Sequence, residues 1–175
     1  WKPEEVAEDL MAACAARGLT GFRMTDCIFG ALAMMLPDKV MAAGDGGNTG
    51  ISIGGYYADR RPFVYVDFTC GAWGARPWAD GLDGNSHMFA NMASHSIEVT
   101  EAEHPISLLC YEFVADKAGA GKFRGGVPFR RDYRFNETAG VLQVRSDRRD
   151  HRPFGLYGGS PGQPSENYLN PQTYN

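Results

Sequence analysis

The chain has 175 residues, is 43% hydrophobic and 12% aromatic, and carries a formal net charge of −4. That is enough apolar material for one sizeable core and excludes a disordered chain, while the acidic balance and the lack of a binding motif argue against nucleic acid. The 22 glycines and 10 prolines favour a loop-rich or β-rich body over a helical bundle.

In chain order, Pro3 and Glu4 open a helix with Val6, Leu10 and Cys14 along one face and Met11 beside them, and Gly18 is placed to close it. Asp26 is predicted to cap a second helix over 27–36, stopped by Pro37. Its residues are apolar on all sides, so it is expected to pack within the assembly, with Met34 and Met35 as core filler. Residues 38–50 read as a turn followed by a glycine loop. No GK[ST] ending is present, and Thr49 stands where a GxGxxG motif counted from Gly44 needs its last glycine, so a hinge or tight turn is the reading.

Strands are predicted over 51–53 and 63–68, joined by a turn at Asp59-Arg60-Arg61-Pro62. The second is apolar on both faces, the pattern of a strand buried on two sides, except for Asp67, which needs an arginine partner or a place at the strand end. Residues 106–114 repeat that doubly apolar pattern around Glu112. From Val127 the pattern alternates, with Phe129, Arg131, Tyr133 and Phe135 on one side and Arg130, Asp132 and Arg134 on the other. Residues 136–140 read as a hairpin connection and 141–146 as the returning strand. A compact glycine loop follows at 155–162. The predicted fold is α+β, a mainly antiparallel or mixed β-sheet with N-terminal helices and glycine-rich loops, and without βαβ alternation.

Cys14, Cys27, Cys70 and Cys110 lie far apart with no CxxC pairing, which suits reduced thiols in a cytoplasmic protein. No apolar run approaches the roughly 20 residues of a membrane-spanning helix. The initial Trp and the tail NYLNPQTYN, which holds no recognisable element, suggest a piece of a longer polypeptide or one whose leader is removed. Between Lys122 and Arg152 nine basic residues face four acidic ones, a solvated face or a surface for an acidic or phosphate-bearing partner, with Arg145, Arg148 and Arg149 as its core.

The stretch from Gly71 to Gly126 has the layout of a site: two glycine-rich loops bracket a polar segment and an apolar strand. Arg76, Asp80, Asn91, Glu98, Glu101 and Glu112 fall there at spacings that fit neither a helix nor a strand. Arg76 and Asp80 read either as a pair bracing the glycine loop or as substrate contacts. Glu112, within an apolar strand, reads as a general base with a perturbed pKa or as a partner of an arginine such as Arg124; Glu98 and Glu101 are weaker candidates for the same role. Gly119, Gly121, Lys122 and Arg124 form a loop suited to a phosphorylated intermediate or a partner surface, or simply a tight turn. His87, His95 and Glu98 have metal-binding chemistry, but spacings of eight and three match no ligand pattern, so no metal ligand is assigned in this chain. His104, before Pro105, reads as a turn residue.

Four segments, GAWGARPWADGLDG, IEVTEAEHP, AGAGKFRGG and GLYGGSPG, occur in an order that resembles the hydantoinase B/oxoprolinase family. That family comprises the B-type subunits of ATP-dependent hydantoinases, the C-terminal half of 5-oxoprolinase, and related lactamase and ketone carboxylase subunits. The resemblance implies one portion, residues 1–175, of a larger B-type subunit that opens a cyclic amide or, alternatively, carboxylates a ketone. A third reading, of another class, is a non-catalytic scaffold or interface portion. The resemblance further implies an A-type partner subunit that binds ATP and phosphorylates the amide or enolate oxygen. It also implies a divalent metal such as zinc or manganese, with ligands outside this chain, and contacts to substrate from Gly71, Gly74, Arg76, Asp80 and Asn91, with Glu98 and Glu112 as catalytic candidates. The sequence departs from the family pattern at Asp116-Lys117-Ala118-Gly119-Ala120-Gly121, where DSGGAG is common, and at Ser94-His95-Ser96-Ile97-Glu98, where NTPIE is common. Nothing here matches the family's metal-ligand region or its usual glycine-rich ending.

Overall fold

A computed structural model describes residues 17–47 and 49–171. In these, helix α1 (Arg17–Met35) is followed by strands β1 (Thr49–Tyr56) and β2 (Pro62–Thr69), helix α2 (Ile97–Glu103), and strands β3 (Ile106–Phe113), β4 (Phe129–Phe135) and β5 (Gly140–Arg145). The α+β class is as expected: β2-β1-β5 form one sheet and β3-β4 another, and every strand pairing is antiparallel.

The helical expectations need correction. Residues 3–16 of the first predicted helix lie outside the described residues, and Gly18, expected to end it, sits in the first turn of α1. Asp26, expected as a cap, is in the middle of α1, and its carboxylate is bonded to His87 and Arg148. The helix does end ahead of Pro37. Met34 and Met35, at 82% and 76% exposed, fill no core among the described residues. An all-round apolar helix identifies what must be covered, and the described residues cover only one side of it.

The β1–β2 hairpin turns at the predicted place. The Arg61 amide and Nε both donate to the Asp59 carboxylate, at 3.1 and 2.7 Å, and Arg60 takes a positive φ of 64°. Neither of the doubly apolar strands is buried on two sides. β2 alternates strictly, with Phe63, Tyr65 and Asp67 buried and Val64, Val66 and Phe68 exposed. β3 leaves Leu109, Tyr111 and Phe113 exposed. An apolar residue marks a face that avoids water without saying whether this chain supplies the cover.

The expected hairpin between β4 and β5 is also absent. β5 pairs with β1, from Gly50 opposite Arg145 to Gly55 opposite Gly140, while β4 pairs with β3. The Asn136 amide donates to the Pro105 carbonyl at 2.9 Å, prolonging the β3–β4 ladder, so the chain leaves that sheet and crosses to the other before β5 begins. Phe135 is the hinge of this crossing, its ring lying against Gly55 and Gly140 of the neighbouring sheet. The core joins the two sheets: Ile51, Ile53, Phe63, Tyr65 and Ile106 are buried together, with Tyr57, Tyr133, Phe135 and Val144 packed around them.

Asp67 has the arginine it requires. Arg131 Nη1 donates to Asp67 Oδ2 at 2.7 Å, both side chains being 4% exposed. Nη2 bonds Ser94 Oγ at 2.5 Å and the Tyr111 hydroxyl at 3.0 Å, while Nε is buried with no partner among the described residues. This ion pair spans the two sheets and is hydrogen-bonded on several sides, the condition under which a buried pair is tolerated.

Candidate functional site

The glycine-rich loops around the site are laced together by backbone. The Ala42 amide donates to the Ala75 carbonyl (2.9 Å), Asp45 to Ala72 (3.0 Å), Trp73 to Leu82 (3.0 Å), Gly81 to Arg124 (2.8 Å) and Gly126 to Trp73 (2.8 Å). The segment from Ala72 to Leu82 is therefore sandwiched between the loop before β1 and the loop before β4. Such close layering leaves no room for side chains at three positions: a Cβ on Gly74 would lie 2.0 Å from the Ala42 carbonyl oxygen, one on Gly81 2.2 Å from that of Trp73, and one on Gly126 2.1 Å from that of Leu82.

The predicted polar residues mostly build this lacing. Arg76 Nε and Nη2 donate to the Asp80 backbone carbonyl, at 2.9 and 2.7 Å, closing a tight turn. The Asp80 carboxylate instead accepts from the Arg124 amide at 2.9 Å, and the Arg124 guanidinium grips Asp83 with two bonds of 2.7 and 3.0 Å. The buried ion pair predicted for Arg76 and Asp80 is absent: Arg76 holds the Asp80 backbone, and the Asp80 carboxylate is taken by Arg124. Gly71 donates its amide to Asp45 Oδ2 at 3.1 Å. The Gly119 carbonyl accepts from Gly125 at 2.9 Å, Gly121 packs close to the Phe123 carbonyl, and Lys122 lies over the Phe123 ring at 5.4 Å. Asn91 is exposed.

The glutamates lie away from this lacing. Glu98 is exposed at the start of α2, where Ser96 Oγ donates to it at 2.5 Å and holds its carboxyl below the usual range. Glu101 accepts from the Leu108 amide at 2.8 Å. Glu112, read as a general base or as the partner of an arginine such as Arg124, is 57% exposed and lies 3.7 Å from Arg130. Arg130 itself is bonded more closely to Asp132. The basic stretch does not act as one surface: Arg131 is buried on Asp67, Arg148 is 12% exposed on Asp26, and Arg124 is committed to Asp83.

A cleft opens where α1, the loop before β1 and the laced segment meet. Its lining includes Asp26, Phe29, Asp45, Trp73, His87 and Phe154. His87 is 3% exposed, and its Nδ1 accepts from the Phe89 amide at 3.2 Å, which leaves the proton on Nε2 to be donated to Asp26 Oδ1 at 3.2 Å. The second oxygen of Asp26 holds Arg148. Beside this chain of partners lies Asp45. One of its oxygens accepts from Gly71, and the other, Oδ1, is buried with no partner among the described residues. Burial pushes its carboxyl up to about 7, against the opposing pull of His87 and of the Gly47 and Gly71 amides. A carboxyl that exchanges its proton near neutral pH, in a cleft walled by aromatic rings, can act as a proton donor or acceptor.

Sequence reasoning singled out His87, read Asp26 as a cap and Arg148 as part of a partner-facing basic surface, and passed over Asp45. Asp45 had a signal, an acid set between glycines in a loop too irregular for a simple turn. Asp26 and Arg148, 122 positions apart, had none.

The residues here do not fit a metal. Both nitrogens of His87 are engaged, His95 and Glu98 are exposed, and among the described residues no group of three His, Cys, Asp or Glu side chains could hold an ion. Among the same residues, no helix is long and apolar enough to cross a membrane.

Residues 6–175 match the family model described as hydantoinase B/oxoprolinase. The chain belongs to the hydantoinase B/oxoprolinase family. Similar family proteins include an uncharacterised protein of Methanocaldococcus jannaschii, 36% identical over 150 residues, which are 86% of this chain and 26% of that protein. A putative D-/L-hydantoinase B-type subunit from a Pseudomonas species is 30% identical over 147 residues, 84% of this chain and 24% of that one. The 5-oxoprolinase of Saccharomyces cerevisiae is 30% identical over 162 residues, 85% of this chain and 12% of its own length. This chain thus spans about a quarter or less of these relatives. Its fold is shared with a nucleotide-free acetone carboxylase structure, at a TM-score of 0.63 and 22% identity over 72% of this chain and 17% of that one.

Proposed function

We propose that this chain is part of the B-type subunit of an ATP-dependent enzyme that opens cyclic amides, of the hydantoinase, oxoprolinase or lactamase type, and that it walls one side of the active site. The reading is supported by family membership over residues 6–175 and by one observation in particular, the Asp45 carboxyl beside His87 in a glycine-laced cleft, whose Oδ1 is buried with no partner among the described residues. ATP is assigned to an A-type partner subunit and the divalent metal, zinc or manganese, to residues elsewhere in the B-type subunit. The described residues supply no ligand set for the metal, and no step is derived through it.

Hydrolytic opening of a ring amide requires an activated carbonyl, a water that forms the new C–O bond as phosphate departs, and a proton for the nitrogen as the C–N bond breaks. Phosphorylation of the amide oxygen by the partner would supply the first. The carboxyl of Asp45, protonated up to about pH 7, is the group we assign to the last, with Asp26 and Arg148 fixing the His87 ring beside it. Gly71 and Gly74 let the backbone approach the loop that carries Asp45, and Arg76, Asp80 and Arg124 hold the laced segment in place.

The test is ATP turnover by the complete A–B complex with hydantoins, lactams and 5-oxoproline, and separately with ketones plus bicarbonate. Ring opening coupled to ADP release supports the proposal. ATP turnover with ketone and bicarbonate alone would assign the subunit to a ketone carboxylase. Turnover unaffected by substitutions at Asp45, Glu98 and Glu112 alike would leave this portion a scaffold.

A further inference from the structure

The three-stranded sheet has a second face that the described residues cover only at the end near Gly50, where Phe68 packs and Arg145 Nη2 donates to Ser52 Oγ at 3.4 Å. On it lie Val64, Val66 and Phe68 of β2, exposed by 68%, 43% and 44%, and Val141 of β5, exposed by 74%. Between them runs β1, which presents Ser52 and Gly54 to this face; Val64 and Val141 are both register partners of Gly54. The result is a shallow trough with an apolar wall along β2, open at Gly54 between Val64 and Val141 and closed at Ser52 by Arg145.

Two adjacent glycines show what the opening is for. Gly55 points inward, and a Cβ there would lie 3.2 Å from the Phe63 ring and 3.3 Å from that of Phe135, so the chain's own core accounts for it. Gly54 points outward. A Cβ on it would meet only the Phe63 carbonyl oxygen at 3.7 Å and Val64 Cγ2 at 3.9 Å, ordinary contacts, and its φ is not in the left-handed region. Nothing among the described residues requires glycine at that position, where a strand would gain from a β-branched residue. A further body that approaches the backbone closely would require it.

We propose that this trough seats an apolar segment of the same B-type subunit, drawn from the polypeptide that relatives carry beyond the matched stretch. The matched stretch is 26% and 24% of the Methanocaldococcus and Pseudomonas proteins, so about three quarters of such a subunit lies outside it. The apolar wall calls for an apolar occupant. The seat rests on family membership and is independent of which reaction the enzyme performs.

The experiment uses the full-length subunit without its partner. Hydroxyl-radical footprinting of the unaltered protein reads Phe68 and Val64. Thiol labelling of Val64→Cys and Val141→Cys reads the same face, each rate compared with that of the same cysteine in denaturant. Labelling slowed at least tenfold, with the protection kept on dilution until the subunit runs as a single chain, supports the seat. Protection lost on dilution means that a second copy covers the face and overturns it. Labelling that is fast in the lone subunit and slowed only on adding the A-type subunit overturns it in favour of that partner, and fast labelling throughout overturns it outright. Because footprinting needs no substitution, it decides the matter even where a cysteine variant fails to fold.

Discussion

Replacing Asp45 with Asn tests the electrostatics of the cleft directly. The carboxyl titrates at about 7 in the folded chain against a reference value of 3.8, because burial disfavours its charged form. The folded state therefore keeps a proton that the unfolded state releases, and stability from this group is fully present below about pH 4 and lost as pH rises to about 7. A difference of about three pKa units corresponds to a penalty on the order of 4 kcal/mol above pH 7. Asn keeps an oxygen for the Gly71 amide and cannot ionise. The difference in unfolding free energy between variant and parent should therefore swing by that amount in the variant's favour between about pH 4 and pH 8. Urea titrations across that range measure it, and other titrating groups cancel in the subtraction. A difference that stays flat with pH would refute the reasoning. In the complete enzyme the same substitution should lower turnover by about 10²-fold or more, the usual scale of a lost acid–base group.

Arg131→Met strands the Asp67 carboxylate in the joint between the sheets and should cost about 3–5 kcal/mol in denaturant unfolding; adding Asp67→Leu should recover most of it. Gly126→Ala places a methyl group against the Leu82 carbonyl and should cost at least about 1–3 kcal/mol, read as a lowered melting temperature. Glu112→Gln serves as the control for the other carboxyls. With Glu112 exposed near Arg130, turnover should change less than about threefold, and a loss of tenfold or more would return proton handling to β3.

Local grammar in the sequence was readable and long-range partnership was not. The turn at Asp59 to Pro62, the strand at β4 and the stop ahead of Pro37 depend on neighbours a few residues apart, and all are present. Asp67 announced its need for an arginine because an acid in an apolar strand has few alternatives. The crossing to β5 was hidden because 136–139 is short enough to suit a hairpin, and only the Asn136–Pro105 bond and Phe135 direct the chain elsewhere. The site was half legible: its glycine loops were recognisable, but Asp45 was lost among turn residues, and Asp26 had a satisfactory local explanation as a cap.

The bond between Asp26 and Arg148 also bears on the order in which the protein is made. α1 leaves the ribosome before its partner, carrying a carboxylate whose guanidinium is synthesised 122 residues later. His87 arrives between the two and can engage Asp26 alone. Until Arg148 emerges, Asp26 and the helix around it are held only provisionally. Long-range closure of this kind is slow and exposes apolar surface meanwhile. The nascent chain is therefore a natural client for chaperones until Arg148 has been added.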